Sequence, residues 1–165
     1  MATKIAVNAS GAELHSNFVD RVQAALKRHD VPPASLEVEI TETSVVLDLD
    51  FAAKVTSNLR DLGVSVVVDD FGTGYSSLSY IRSFPLDGVK IDQSFVRGMT
   101  TNQIDRKIVE SVIDLAHAVG LVTVAEGVET TEQFEVLRQA GCDIAQGYLI
   151  AKPLTIGDFK LFMRQ

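Results

Sequence analysis

The stretch VSVVVDDFGTGYSS, residues 64–77, decides the predicted fold of this chain. Residues 64–68 form an almost continuous valine run, which is typical of a parallel strand buried on both faces. Two carboxylates, Asp69 and Asp70, follow where that strand is expected to end, and a glycine-bearing loop occupies residues 71–77. Parallel α/β proteins carry their functional groups at the carboxyl ends of their strands. The stretch therefore predicts a parallel sheet with the Asp pair in its functional site.

Alternation of strand and helix continues on both sides of this stretch. Apolar segments predict five further strands, at residues 5–9, 36–41, 88–91, 121–125 and 142–145. Helical spacing follows each strand, and the expected helix starts are Ser16, Asp48 or Asp50, Ser76 or Ser77, Thr100 or Thr101, Thr130 and Thr155. The last helix is expected to turn Phe159 and Phe162 into the core. Six strand–helix units predict a parallel sheet with right-handed crossovers.

Two architectures fit this alternation. An open doubly wound sheet suits the length of 165 residues, because a (β/α) barrel normally has eight units and about 250 residues. The polar residues favour a barrel, since they follow every predicted strand rather than cluster at one switch point. They are Asn8, Glu39, Asp69, Asp70, Lys90, Glu126 and Gln146.

Composition narrows the class of protein. There are 15 basic and 22 acidic residues, for a net charge of -7, which disfavours binding to DNA or RNA backbones. Cys142 is the single cysteine, so the chain forms no internal disulfide and suits a reducing compartment. No apolar stretch approaches the roughly 20 residues of a membrane span. We expect a cytoplasmic domain without direct membrane insertion, on its own or as a module of a larger signalling protein.

The polar residues suggest metal chemistry. Most of them offer oxygen ligands, which select Mg²⁺, Mn²⁺ or Ca²⁺ over zinc. An adjacent Asp pair can serve two ions, and two ions can clamp the attacking and leaving oxygens of a phosphoryl centre. Lys90 would then steady a water or phosphate oxygen, which points to phosphodiester hydrolysis. The plainer alternatives are that Asp69 and Asp70 only start a turn and that Glu39 only belongs to a polar barrel layer.

Three motifs resemble a known family, the EAL domain. They are DDFGTGYSSLSYIRSFPLDGVKIDQSF at residues 69–95, VAEGVE at 124–129 and QGYLIAKPL at 146–154. The resemblance extends over residues 5–162. It implies a modified TIM barrel and a bacterial phosphodiesterase that opens cyclic di-GMP to linear pGpG with Mg²⁺ or Mn²⁺.

The resemblance also implies roles for individual residues. It assigns metal ligation to a set of four residues, in which Asp69 is shared by both metals: Asn8, Glu39, Asp69 and Asp70. It places Lys90 near the hydrolytic water, Glu126 beside the metal-bound water and Gln146 along the same site. Glu42 and Glu129 match acids that hold the loop after the Asp pair, and that loop is linked to dimerisation and regulation.

One departure from the family is decisive. The Glu-Ala-Leu tripeptide that names the family, with its metal-binding glutamate, is not in this sequence, and residues 5–9 match a strand that follows it. We therefore expect residues 1–165 to be a single partial EAL-type domain, an incomplete TIM-like (β/α) barrel of about six units. Six units do not close a normal barrel. The strands at residues 5–9 and 142–145 should be exposed edges, which favours a homodimer or higher oligomer.

These observations lead to two functional hypotheses. The first is an EAL-type phosphodiesterase acting on cyclic di-GMP, inactive or weakly active in this form because losing one metal ligand weakens the whole site. The alternative is a non-catalytic nucleotide-binding or oligomerisation module of a degenerate EAL domain.

Overall fold

A computed structural model of the chain describes residues 4–11, 13–72 and 84–163, without the side chains of residues 45–47. Six parallel strands form one sheet in the order β1 to β6. The strands are β1 (Ile5–Ala9), β2 (Leu36–Thr41), β3 (Ser65–Phe71), β4 (Gly88–Ile91), β5 (Val122–Ala125) and β6 (Ile144–Ala145). Strands adjacent in sequence are adjacent in the sheet, so the strand order never reverses. The incomplete TIM-like barrel is confirmed, and the doubly wound alternative is wrong.

The described helices lie between the strands. They are α1 (Phe18–His29), α2 (Glu42–Leu47), α3 (Leu49–Asp61), α4 (Gln93–Gly98), α5 (Gln103–Ala118), α6 (Thr131–Ala140) and α7 (Ile156–Phe162). A 3₁₀ turn covers Pro33–Ser35. The sequence patterns did not predict α2 and α4. The helix expected from Ser76 or Ser77 lies outside the described residues. Within the described ranges, no helix is both long enough and apolar enough to cross a membrane.

Helix starts show where local sequence signals succeed. Asp48 accepts a hydrogen bond from the Phe51 N–H, and Thr130 forms a capping box with Gln133, as predicted. Two predicted starts are wrong. Asn17, not Ser16, precedes α1, and the Asn102 side chain caps α5 where Thr100 or Thr101 was expected. Asn is as good an N-cap as Ser or Thr, so composition alone does not separate neighbouring candidates.

The helix-facing side of the sheet forms the main core. Six side chains from the central strands are at most 1 % exposed: Val38, Ile40, Val66, Val68, Val89 and Ile91. Because residues alternate along a strand, Glu39 on β2 and Lys90 on β4 point to the opposite face, toward the barrel axis. The fold therefore separates an apolar outer layer from a polar inner one.

The two end strands have incomplete coverage. On β1, Val7 is 40 % exposed, although its partners in register on the next two strands, Val38 and Val66, are fully buried. At the other end, Phe159 and Phe162 on α7 are 44 % and 39 % exposed, so their predicted burial is wrong. In this fold a helix packs over its own strand and the next one, as α5 does on β4 and β5. Among the described residues, no strand follows β6, so α7 has no second strand to cover.

Candidate metal and phosphodiester site

The Asp pair lies within β3, among its last three residues, rather than after the strand. Strand β3 runs to Phe71, so the predicted strand end at residue 68 is wrong. The backbone changes course at Asp70, which adopts a φ of 55°, and the pairing register with β4 shifts between Val68 and Phe71. A positive φ costs an ordinary L-residue about 1–2 kcal/mol, and Asp tolerates it better than most. The irregularity is a β-bulge, a feature often found beside functional sites.

Lys90 is the centre of a buried ion cluster. Its Nζ lies 2.8 Å from Glu39 Oε2, 3.3 Å from Asp69 Oδ1 and 2.5 Å from Glu126 Oε1. Lys90 is only 3 % exposed and Glu39 only 6 %. These four side chains come from β2, β3, β4 and the residue after β5, so four consecutive strands converge on one point. Such convergence is characteristic of barrel active sites.

One ammonium group serves three carboxylates in this cluster. Burial alone would lower the pKa of Lys90, but hydrogen bonds to Glu126 and Glu39 outweigh burial and raise its pKa above the ordinary value. Burial raises the pKa of Glu126, and the nearby Asp69 and Glu39 charges add to that rise despite the opposing bond from Lys90. The cluster therefore carries excess negative charge that a further cation would relieve.

Asp70 lies at the solvent side of the same cluster. Oxygens of Asp69, Asp70 and Glu126 all lie within 4.8 Å of one another. Burial, followed by the neighbouring Asp69 and Asp92 charges, raises the pKa of Asp70. Hard carboxylate oxygens grouped at this spacing fit a divalent cation such as Mg²⁺ or Mn²⁺. The donor set thus agrees with the metal chemistry expected from the sequence.

The remaining predicted site residues lie at different depths. The buried Glu42 carboxylate accepts a hydrogen bond of 3.1 Å from the Gly72 N–H, directly after the Asp pair. Asn8 is exposed on the edge strand, in register with Glu39. Gln146 is exposed after β6, and Glu129 is exposed with its backbone N–H donating to the Gln133 side chain. Residues 73–77 of the predicted regulatory loop lie outside the described residues.

Sequence reasoning missed one candidate, Asp92. It directly follows β4, and its charge contributes to the raised pKa of Asp70. Its side chain also caps α4 by accepting from the Ser94 N–H at 3.0 Å. The signal was available, because Asp92 follows a predicted strand as Asp69 follows residue 68. The cap is one reason for an acid at this position, and the effect of the Asp92 charge on Asp70 indicates a second one.

The polar cluster and its motifs can be compared with known proteins. A family model described as EAL domain matches residues 1–153. The chain belongs to the EAL domain family. Among curated relatives of this EAL domain, the cyclic di-GMP phosphodiesterase NbdA of Pseudomonas aeruginosa is 40 % identical over 162 residues. That match covers 98 % of the present chain and 21 % of NbdA.

Solved structures of EAL proteins share the fold. The PaMucR phosphodiesterase in complex with c-di-GMP is 38 % identical, with a TM-score of 0.91, covering 94 % of this chain and 64 % of PaMucR. Klebsiella pneumoniae BlrP1, solved with manganese and c-di-GMP, is 34 % identical with a TM-score of 0.85. Coverage there is 92 % of this chain and 39 % of BlrP1. The present EAL domain therefore spans about a fifth of the length of NbdA and under two thirds of these solved chains.

Proposed function

We propose that this EAL domain serves a metal-dependent phosphodiesterase that hydrolyses cyclic di-GMP to linear pGpG. The observation that carries the proposal is the convergence of Glu39, Asp69 and Glu126 on Lys90, with Asp70 alongside. The relatives named above support the substrate, since NbdA is a cyclic di-GMP phosphodiesterase and PaMucR binds c-di-GMP. Residues 1–165 would form a single partial domain of this type, which the unbroken six-stranded sheet supports.

Mg²⁺ or Mn²⁺ is the proposed cofactor. The residues proposed to hold it share oxygen donors and lie at the carboxyl ends of β1, β2 and β3: Asn8, Glu39, Asp69 and Asp70. When bound, the metal would polarise the phosphodiester and lower the pKa of a coordinated water. The manganese complex of BlrP1 supports this choice of ion.

Four side chains of the protein would bind the phosphate, accept a proton and keep the site in shape. The Lys90 ammonium, which stays protonated because its pKa is raised, would offset the negative charge of a bound phosphate, and its longest contact, 3.3 Å to Asp69, is the one that a phosphate oxygen would replace. The Glu126 carboxylate, whose pKa is raised, would accept a proton from the attacking water at Oε1. Gln146 would line the same site with its amide. Glu42 would keep the chain after Asp70 in place through Gly72.

Weak or absent activity is the expectation for this chain as it stands. The Glu-Ala-Leu tripeptide is missing from the sequence. Metal ligands and their supports act together, and loss of one supporting group typically costs about 10–100-fold in metal affinity or activity. This sequence feature favours the second candidate, a non-catalytic module that binds nucleotide or mediates assembly.

A homodimer or higher oligomer is proposed through the open edges of the sheet. Strands β1 and β6 each have one unpaired side within the described sheet, and they expose Ile5, Val7 and Ile144. Exposed edges with apolar side chains favour pairing with another chain. Size-exclusion chromatography with light scattering at tens of micromolar tests this, and a stable monomer would contradict it. The lone thiol of Cys142 supports a reducing, cytoplasmic location.

One experiment separates the two functional candidates. Cyclic di-GMP is incubated with Mn²⁺ and either the wild-type chain or Asp69→Asn, and pGpG is measured by chromatography. The enzymatic proposal expects slow turnover that Asp69→Asn abolishes. Binding of cyclic di-GMP without any pGpG supports the non-catalytic module, while equal turnover by both chains excludes metal catalysis at Asp69.

A further inference from the structure

The segments that follow β5 and β6 remain paired beyond the strands themselves. The Gln146 N–H donates to the Ala125 carbonyl at 2.8 Å, and the Val128 N–H donates to the Gln146 carbonyl at 3.0 Å. The Leu149 N–H then donates to the Val128 carbonyl at 2.9 Å. Val128 is fully buried. These backbone bonds hold together the two segments that carry Glu126 and Gln146.

Gly147 lies at the closest approach of these segments. A Cβ added at Gly147 would lie 2.3 Å from both the backbone nitrogen and the backbone oxygen of Val128. Real Cβ atoms do not approach backbone atoms this closely, and no side-chain rotation can relieve a clash with the backbone. Gly120 and Gly141 differ, since a Cβ there meets nothing within 4 Å. A glycine at 147 is therefore required by the close contact with the backbone of Val128.

A second close contact fixes the other side of the Glu126 segment. A Cβ added at Gly127 would lie 2.7 Å from Gln93 Cβ, at the start of α4. The Glu126 N–H also donates to the Ile91 carbonyl at 3.2 Å. Glu126 thus sits on a short segment held by β4 and α4 on one side and by Gly147 on the other. Its carboxylate reaches Lys90 from this position.

We propose that Gly147 is a positioning residue, which sets the distance between Glu126 and Lys90 through the backbone of Val128. The inference rests on the proposed function, because its consequence is the geometry of the proposed metal and phosphodiester site. Any L side chain at 147 would separate the two segments by enough to displace Glu126. A displacement of about 1 Å at such a site can cost on the order of 100-fold in rate.

The test compares Gly147→Ala with Gly157→Ala. Gly157 is a matched control, because the nearest atom to an added Cβ there is 3.8 Å away. Mn²⁺ affinity is measured by titration calorimetry, and exchange of the Val128 and Leu149 amides by NMR. We expect Gly147→Ala to bind Mn²⁺ about 10–100-fold more weakly, the range for lost support of metal ligands. We also expect faster exchange of both amides, with Gly157→Ala unchanged.

D-alanine at position 147 provides a conservative rescue, and Cys142 is the ligation site that allows it to be introduced. Ligation at the junction between Gly141 and Cys142 joins recombinant residues 1–141 to a synthetic segment of residues 142–165 carrying D-alanine at 147. The D configuration places the methyl group at the other Hα instead of at the position where an added Cβ meets Val128. This chain should recover the Mn²⁺ affinity that Gly147→Ala loses.

The possible outcomes separate the role of Gly147 from the proposed function. Faster exchange in Gly147→Ala with unchanged Mn²⁺ affinity would show a merely structural glycine and overturn the proposal. If the wild type binds no Mn²⁺, the proposed metal site is wrong, and the role of Gly147 is tested by the ¹⁵Nζ resonance of Lys90 instead. A shift of that resonance in Gly147→Ala supports the positioning role, and an unchanged resonance overturns it. If Gly147→Ala does not fold, an ester that replaces the Leu149 N–H weakens the pairing of the same two segments. An unchanged Mn²⁺ affinity, or an unchanged Lys90 resonance, in this ester variant overturns the proposal.

Discussion

Lys90 Nζ lies 2.8 Å from Glu39 Oε2, and both side chains are more than nine-tenths buried. Lys90 therefore replaces water for the buried Glu39 carboxylate, while Lys90 itself is also paired with Asp69 and Glu126. Removing one partner of a buried ion pair typically costs about 3–5 kcal/mol, because the remaining charge is left without compensation. The stability of the incomplete barrel therefore depends on residues that also belong to the proposed phosphodiester site.

Replacing Lys90 with methionine should lower the free energy of unfolding by about 3–5 kcal/mol. The methionine preserves much of the volume, so the loss reflects charge rather than a cavity. Urea unfolding followed by circular dichroism measures the change. The double variant Lys90→Met/Glu39→Gln should recover part of the loss, because Glu39 no longer carries a buried charge. A double variant no more stable than Lys90→Met would contradict this explanation.

Adding Mn²⁺ should stabilise the wild-type chain, since a ligand that binds only the folded state raises stability by about 2.7 kcal/mol at 100 times its Kd. Thermal unfolding with Mn²⁺ and then with excess EDTA measures the effect and its reversal. Asp70→Asn should lose most of the gain, because one of the three clustered carboxylates is gone. Asp114→Asn, an exposed acid on α5, serves as the control. Equal stabilisation of both variants would place the ion elsewhere.

Replacing Glu42 with alanine should free the chain after the Asp pair. The Gly72 N–H loses its carboxylate acceptor, and an unpaired, partly buried donor costs about 1–3 kcal/mol. Hydrogen exchange of the Gly72 amide should accelerate by about 5- to 100-fold, given that 1.4 kcal/mol corresponds to a factor of ten. Thr43→Ala, at the exposed neighbouring position, should leave that amide unchanged. Slow exchange in Glu42→Ala would mean that another acceptor holds Gly72.

Asp143 lies just before β6, at the end of the sheet opposite the proposed site. We expect this residue to make the free energy of unfolding depend on pH in the acid range. Its Oδ2 accepts from the Thr123 N–H at 2.8 Å and contacts His117 Nε2 at 2.9 Å. Burial opposes ionisation, but the His117 and Thr123 hydrogen bonds outweigh it and lower the pKa of Asp143. A lowered folded-state pKa contributes stability above the unfolded value of about 3.9, and this stability is lost as the pH falls through the folded value.

The stability difference between wild type and Asp143→Asn should therefore shrink between pH 5 and pH 3. Urea unfolding of both chains across that interval provides the measurement. Thr123→Val is a useful companion, because it removes one of the bonds that lower the pKa of Asp143. A difference that stays constant to pH 3 would show that Asp143 is not the titrating group.

Much of the fold follows from the sequence because its signals are local. The valine run at residues 64–68 and the polar residues after each strand predicted a parallel sheet with its site at the carboxyl ends of the strands and favoured a barrel, whereas the incomplete barrel was implied by the resemblance to the EAL family. The exposed faces of Phe159 and Phe162 could not be predicted, since apolar spacing shows which face of a helix is apolar but not whether a strand is present to receive it. The pairing of Lys90 with three acids also depends on contacts between distant residues.

The β-bulge at Asp70 means that position 70 must satisfy two requirements at once. In a regular strand, consecutive side chains point to opposite faces. The left-handed backbone at Asp70 instead lets its carboxylate approach those of Asp69 and Glu126. Asparagine would keep this shape and lose the charge, whereas glutamate would keep the charge but accept the shape less readily. A saturation library at this codon would thus tolerate very few replacements, because the torsion angle, and not only the functional group, is under constraint.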